Sequence, residues 1–148
     1  MPPRDQNTLD LFDWQPPAIV ERFSDKQVQA PTLRDRVARA VALVLNESEI
    51  PREEIARQMT EWLGEEMSVN MLDNYASQAK RDHVISAIRM FALAKVTGDY
   101  RALQLLGGEV GSVFVPKKYE SAIKDAILTD QIDELRRQRD GERRQWKS

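Results

Sequence analysis

Residues 52–99, REEIARQMTEWLGEEMSVNMLDNYASQAKRDHVISAIRMFALAKVTGD, decide the fold of this chain. Apolar residues recur in this stretch every three or four positions, which is the spacing of helices with one buried face. The spacing predicts helices over residues 51–63, 68–78 and 83–97. Gly64 and Gly98 are the expected stops, because glycine enters the left-handed region that ends a helix at little cost.

The middle helix is polar and rich in amides, whereas its two neighbours are apolar. Ser68 is its expected N-cap. If the helix reaches Arg81, the spacing places Asn70, Asn74, Ser77 and Arg81 on one face. Amide, hydroxyl and guanidinium groups hydrogen-bond base edges and phosphates, so this face is typical of a DNA contact, although a plain solvated surface is the alternative. The candidate DNA-binding residues here are Ser68, Asn70, Asn74, Ser77, Gln78, Lys80 and Arg81.

The flanking segments also predict helices. One is expected over residues 32–46 with Thr32 as its cap, and another over residues 100–106, ended by Gly107 and Gly108. A β-like run follows at residues 112–115, and a last helix starts after Pro116 and reaches Asp140. The predicted fold is therefore all-α. A compact multi-helix domain (residues 32–111) contains a helix-turn-helix-like unit (51–80) and precedes a C-terminal helix and basic tail (116–148).

Residues 1–31 are expected to form a flexible arm, because five of the seven prolines lie there. Within it, Thr8–Trp14 (TLDLFDW) is an island of apolar and acidic residues. Residues 8–12 resemble the short motif that docks onto the bacterial sliding clamp, except that Thr8 stands where that motif has glutamine. This island either packs on the protein itself or a dimer mate, or binds another protein. The candidate partner-binding residues are Leu9, Leu11, Phe12 and Trp14.

Charge is unevenly distributed over a chain whose formal net charge is −2. This net charge argues against a general nucleic-acid coat. Residues 135–148 carry +4, however, and the remaining 134 residues carry −6. Residues 46–67 hold seven glutamates and two arginines and would repel a phosphate backbone. The basic tail is predicted either to contact phosphate or to aid solubility. Its candidate DNA-binding residues are Arg136, Arg137 and Arg139.

The last helix carries a narrow apolar stripe on a highly charged surface. Ile123 and Ile127 belong to its first part, and Leu128, Ile132 and Leu135 continue it with a small drift. Two interpretations are open: the helix lies back across the body, or it forms a short coil with a second copy. A homo-oligomer through this helix is therefore one expectation.

Several kinds of chemistry have no support in the sequence. Cysteine is absent, which excludes disulfides and thiolate metal sites, and His83 is the single histidine. No catalytic set, metal site or cofactor is predicted, so we expect a protein that is not an enzyme. No apolar run approaches the roughly 20 residues of a membrane-spanning helix, and the N-terminus lacks the pattern of a signal peptide. A cytoplasmic location follows as an expectation.

Short matches across residues 50–111 add a resemblance. The matching pieces are Ile55-Ala56, Leu63-Gly64, Ser68-Val69 with Met71-Leu72, and Thr97–Tyr100 with Leu103. The chain resembles small helix-turn-helix-like proteins of Mu-like phages and prophages and, more distantly, the phage regulatory CII family. The resemblance implies an oligomeric phage regulator of transcription whose third helix contacts double-stranded DNA. The alternative is a non-enzymatic adaptor of phage replication or transposition that docks a protein partner.

Overall fold

The computed structural model describes residues 20–148, which form six α-helices and one 3₁₀ turn, with no strand among them. The all-α fold and the long C-terminal helix predicted from the sequence are confirmed. One compact unit extends to Val113, and a second comprises Phe114–Ser148. The helices are α1 (Leu33–Glu47), α2 (Arg52–Leu63), α3 (Val69–Tyr75), α4 (Ala87–Thr97), α5 (Arg101–Glu109) and α6 (Glu120–Lys147), with the 3₁₀ turn at Lys117–Tyr119.

The core of the first unit lies where five short helices meet. α1 packs against α5 and α3, α2 packs against α4 and α3, and α4 also contacts α5. The apolar stripes of the sequence supply the side chains, since burying apolar surface is the main driving force of folding. The largest fully buried side chains are Ile55, Met59, Leu72, Leu93, Val41 and Val44.

The predicted helix caps are confirmed. Thr32 Oγ1 accepts a hydrogen bond from the Asp35 amide at 3.2 Å and starts α1. Ser68 Oγ accepts one from the Met71 amide at 3.2 Å and starts α3. Gly64 and Gly98 both have a φ of 70° and end α2 and α4, as the left-handed stop requires.

The start of α4 and the end of α5 differ from the prediction. α4 begins at Ala87 and not at His83, because Ser86 Oγ accepts from the Arg89 amide at 3.3 Å and fixes the start there. α5 runs through Gly107 and Gly108 to Glu109, so this glycine pair does not end it. The chain turns at Gly111, whose φ is 69°, and the amide of Ser112 donates to the Gly107 carbonyl at 2.8 Å.

Residues 20–31, the described part of the predicted arm, pack against the first unit. Val28 is 3% exposed and belongs to the core, and Phe23 lies against it. Arg39 on α1 donates to the carbonyl of Gln29 at 2.9 Å. The folded unit therefore starts before residue 32. The candidate residues Leu9, Leu11, Phe12 and Trp14 lie outside the described residues.

α4 is nearly apolar in composition, but it is not fully buried. Met90, Ala92, Leu93 and Ala94 are buried, but Ile88 is 66% and Phe91 45% exposed. One side of α4 therefore presents apolar groups at the surface.

The second unit consists of the 3₁₀ turn and α6. α6 has 28 residues, none of them buried, and continues seven residues past the predicted end at Asp140. The residues that the sequence assigns to a tail are therefore helical up to Lys147. None of the helices in residues 20–148 is both long and apolar enough to cross a membrane.

Candidate nucleic-acid interface

The turn between α2 and α3 is held by one threonine. Thr60 Oγ1 on α2 accepts a hydrogen bond from the Met67 amide at 2.9 Å and donates to the Ala56 carbonyl at 2.8 Å. Met67 itself is buried. Because Gly64 reverses the chain and Ser68 caps the next helix, the start of α3 is fixed relative to α2.

Leu72 and Tyr75 orient α3 by facing the core. Leu72 is fully buried, and Tyr75 is 7% exposed. The Tyr75 hydroxyl accepts a hydrogen bond from Arg89 at the start of α4, and Arg89 Nε pairs with Glu65 at 3.3 Å. The hydrogen bond to Tyr75 is the main cause of a raised pKa at Arg89, which thus stays cationic. This network ties α3 to α4 and to the turn that follows α2.

The outward side of α3 carries two amides and one acid. Asn70 is exposed and Asn74 half-buried, and the spacing of four places them on one face. Asp73 lies beside them and pairs with Arg52 of α2. Arg52 also donates to Asn46 Oδ1 at 2.6 Å. The pairing offsets the charge of an acid that would otherwise repel phosphate from this face.

The predicted continuation of this face past Tyr75 is wrong. α3 ends at Tyr75, and residues 77–83 form two successive turns, in which the Lys80 amide donates to the Ser77 carbonyl at 3.2 Å and the His83 amide to the Lys80 carbonyl at 3.0 Å. Because the residues after Ala76 leave the helical path, they do not share a helix face with Asn70 and Asn74. The residues displaced onto these turns are Ser77, Gln78, Lys80 and Arg81.

These turns, which we call the 77–83 loop, are fixed to α1. Arg34 Nη1 donates to the carbonyl of Arg81 at 2.6 Å. Within residues 20–148, the side chains of Lys80 and Arg81 form no ion pair, and both residues are exposed. Arg34, Lys80 and Arg81 therefore form a small basic group directly after α3. Sequence reasoning does not identify Arg34, because nothing local indicates its contact 47 residues away.

The arginines predicted on the C-terminal segment lie on α6 and pair with acids of the same helix. Arg136 lies 3.8 Å from Asp133, Arg137 lies 2.7 Å from Glu134, and Arg139 lies 3.5 Å from Asp140. Hydrogen bonds from Gln138 and Arg137 lower the pKa of Glu134. Such exposed pairs contribute little energy, so phosphate can replace the acid as partner. Arg143 and Lys147 form no ion pair among the described residues, and Arg144 donates to a backbone carbonyl.

The outer side of α2 stays negative. Hydrogen bonds from Arg57 and Gln58 lower the pKa of Glu54 to about 2, so this carboxyl is ionised at neutral pH. Arg57 also pairs with Glu61 at 3.3 Å. The positive charge near α3 thus comes from the 77–83 loop and α1, on the side of α3 that follows its C-terminus.

No group of three or more His, Asp or Glu side chains within residues 20–148 is arranged to hold a metal ion. The single histidine, His83, is exposed on the 77–83 loop. Comparisons with family models, curated proteins and solved structures found no match to the chain.

Proposed function

We propose that this chain is a phage-type DNA-binding regulatory protein whose helix-turn-helix-like unit, α2 with α3, contacts duplex DNA. The observation that carries the proposal is α3 itself. It is capped by Ser68, anchored through Leu72 and Tyr75, and presents Asn70 and Asn74 outward. Amides in such positions pair bidentately with adenine in the major groove. The role is proposed as cytoplasmic and non-enzymatic.

The 77–83 loop supplies the phosphate contact in this proposal. Lys80 and Arg81 follow α3 directly and have no acidic partner within residues 20–148. Phosphate contacts position a protein on the duplex, and base contacts then select the sequence. Ser77 and Gln78 on this loop, and Ser68 at the start of α3, are proposed as further hydrogen-bonding groups.

The C-terminal helix adds the second basic group. Arg136, Arg137 and Arg139 are the proposed phosphate contacts on α6, and the structure adds Arg143 and Arg144 as candidates. Since the protein is acidic overall, a second copy joined through α6 would double the basic surface offered to one duplex. Homo-oligomerisation through α6 is therefore part of the proposal.

The test starts with selection of bound duplexes from a random-sequence pool, followed by titration of the selected duplex at about 50 and 200 mM salt. Asn70→Ala with Asn74→Ala should lose about 1–3 kcal/mol of binding free energy per true base contact and relax the sequence preference. Lys80→Ala should weaken binding to every duplex alike and reduce the salt slope by about one.

Two exposed residues of the first unit serve as matched controls. Gln29→Ala removes an amide, and Lys26→Ala removes an ammonium, both far in sequence from α3. Neither should change affinity. Failure to enrich any sequence, or equal losses in the control and the α3 variants, would remove the basis for the proposal.

A second candidate function is the adaptor, which one observation favours. Trp62 on α2 is 49% exposed, and Ile88 and Phe91 of α4 are exposed as well. Lys95 Nζ lies 5.8 Å from the centre of the Trp62 ring, which joins α2 and α4 in one surface. We call Trp62, Ile88 and Phe91 the Trp62 surface. Glu61 and Glu65 lie nearby and pair at the surface with Arg57 and Arg89. Because such exposed pairs contribute little energy, a basic amphipathic helix of a partner can replace the arginines there.

The adaptor function is tested with a synthetic Lys/Leu amphipathic helical peptide and its Glu/Leu counterpart. Binding of the basic peptide alone, abolished by Trp62→Ser, would support the adaptor. Equal binding of both peptides, or no effect of Trp62→Ser, would exclude charge-guided docking at this surface.

A further inference from the structure

An apolar groove separate from α3 lies between the start of α1, the segment before α4 and the end of α5. It has a volume of about 340 Å³. Val37, Ile85 and Met90 are buried at its base, and Leu33 and Val84 are exposed at its edge. Ala87 and Leu106 complete the lining. A groove of this composition favours an apolar occupant, because apolar groups gain by leaving water.

The edge of the groove is basic. Arg34 lines the groove and also holds the 77–83 loop through the Arg81 carbonyl. Lys80 and Arg81 line a small adjoining cavity that shares Arg34, Val37 and Val84 with the groove. Two acids are close by: Asp82 on the 77–83 loop, and Asp35, which is buried and lines the same adjoining cavity, so the three cations leave a small positive excess. The occupant that complements this edge is therefore apolar and acidic.

The Trp62 surface, another exposed apolar area of the first unit, has compensated charge. Its neighbouring acids Glu61 and Glu65 pair with Arg57 and Arg89. Lys95 lies over the Trp62 ring. An acidic apolar segment is therefore attracted less strongly there than at the groove, where Lys80 and Arg81 form no ion pair within residues 20–148.

The chain itself carries a segment of this kind within reach of the groove. Residues 8–14, TLDLFDW, join four large apolar side chains to two aspartates. Five residues lie between Trp14 and Val20, where the described chain starts, and this stretch spans at most roughly 20 Å. Phe23 is fixed at the start of α5, with its ring centre 4.4 Å from the Arg101 guanidinium. Leu106, in the groove, lies five residues along α5, a rise of about 8 Å.

We propose that residues 8–14 of the chain bind in this groove, with Leu9, Leu11, Phe12 and Trp14 supplying the apolar contact and Asp10 and Asp13 meeting the basic edge. A regulatory consequence rests on the proposed DNA-binding function. The segment and a phosphate backbone both use Lys80 and Arg81, so occupation of the groove competes with DNA.

Disulfide trapping in the full chain tests the contact, because the protein has no cysteine of its own. Gln15→Cys is combined with Ala87→Cys at the groove or, as a matched control, with Asn70→Cys on the exposed side of α3. The groove pair should form a disulfide within one chain about tenfold faster than the control pair, since docking raises the local concentration of the two thiols. Equal rates would overturn the proposal, and so would a disulfide-linked dimer, which would assign the groove to a second copy.

A charge change tests the basic edge in the groove-pair background. Asp10→Lys lies in the segment, and Asp5→Lys makes the same change outside it. Asp10→Lys should slow disulfide formation to the rate of the control pair, whereas Asp5→Lys should leave it unchanged. Equal slowing by both would show that the edge does not recognise the segment and would reject the proposal. Neither measurement involves DNA, so failure of the DNA-binding function is distinguishable from failure of this docking.

Discussion

Arg101 joins three parts of the first unit through one side chain. Its guanidinium donates to Asp99 Oδ1 at 3.0 Å and Oδ2 at 2.8 Å, pairs with Glu47 at the end of α1, and lies over the Phe23 ring. The side chain is 15% exposed. Charge-assisted hydrogen bonds are the strong class, and removing one partner leaves the other groups unsatisfied. Among the arginines of the first unit, Arg101 is therefore the one whose loss should destabilise the unit most.

Arg101→Ala should lower the free energy of unfolding by about 2–3 kcal/mol, because Asp99 and Glu47 lose their common partner. Denaturant titration followed by circular dichroism measures the change. Arg57→Ala is the control, since Arg57 forms pairs of similar length with Glu54 and Glu61 on an exposed face. Its effect should stay near 0.5 kcal/mol, the usual worth of exposed helix pairs. Similar losses for both would contradict the assigned role.

Asp99 makes the same cluster sensitive to acid. Burial alone would raise the pKa of Asp99, but hydrogen bonds from the Arg101 side chain and backbone lower it more, and the net direction is down. An aspartate whose pKa is lower in the folded state than in the unfolded state stabilises the fold fully at pH values above its unfolded-state pKa of about 3.9. The contribution is lost as pH falls through the lower folded-state pKa.

Unfolding free energies measured between pH 6 and the acid limit of folding, roughly pH 2–3, should therefore decline below about pH 4. Asp99→Asn should flatten this decline, because the amide cannot gain a proton there. Asp125→Asn, on exposed α6, should leave the decline unchanged. A decline of the same steepness in Asp99→Asn would assign acid sensitivity to other carboxyls.

At the level of helices, we expect replacement of glycine by alanine to change stability in opposite directions at two positions. Gly64 has a φ of 70°, which is strained for any residue with a Cβ, whereas Gly108 lies within α5 with no atom within 4 Å of an added Cβ. Gly64→Ala should destabilise by about 1–2 kcal/mol. Gly108→Ala should stabilise by about 0.5–1 kcal/mol, because alanine restricts the unfolded chain. Thermal unfolding of both variants measures the sign of each stability change. Two changes of the same sign would refute the backbone conformations assigned to the two glycines.

The helix ends show which local signals were sufficient. Ser68, Thr32 and Gly64 act within three or four residues of themselves, and the boundaries that they set were predicted. The end of α3 was not, because Ser77, Gln78 and Lys80 fit a helical pattern as well as they fit turns. What holds the 77–83 loop is Arg34, 47 residues earlier in the chain. Contacts between residues so far apart in the sequence depend on tertiary packing and produce no periodic pattern in the sequence.

For the whole molecule, the candidate site was only partly predictable. Asn70 and Asn74 were placed together correctly, since four residues of helix fix their spacing. Ser77 and Arg81 are predicted on the same face and lie instead on a loop. The sequence also does not predict the exposure of Ile88 and Phe91, because apolar composition does not distinguish a buried side of α4 from an exposed one.

Association through α6 is the prediction that concerns the whole molecule. The sequence suggests one continuous apolar stripe on α6, but the helix divides it in two. Leu128 directly follows Ile127, so the two side chains point about 100° apart around the helix axis. Leu128, Ile132 and Leu135 keep spacings of four and three and are 49–64% exposed, so they form the seam that a second α6 would cover. Leu128→Asp with Leu135→Asp should abolish self-association in sedimentation equilibrium, because two charges per chain would be buried. Thr129→Asp adds a charge beside the seam and should preserve it. A monomer in the unsubstituted protein, or a dimer that survives the double substitution, would show that this seam does not join two copies. Under the proposed function, a DNA duplex would then contact the basic surface of one chain alone.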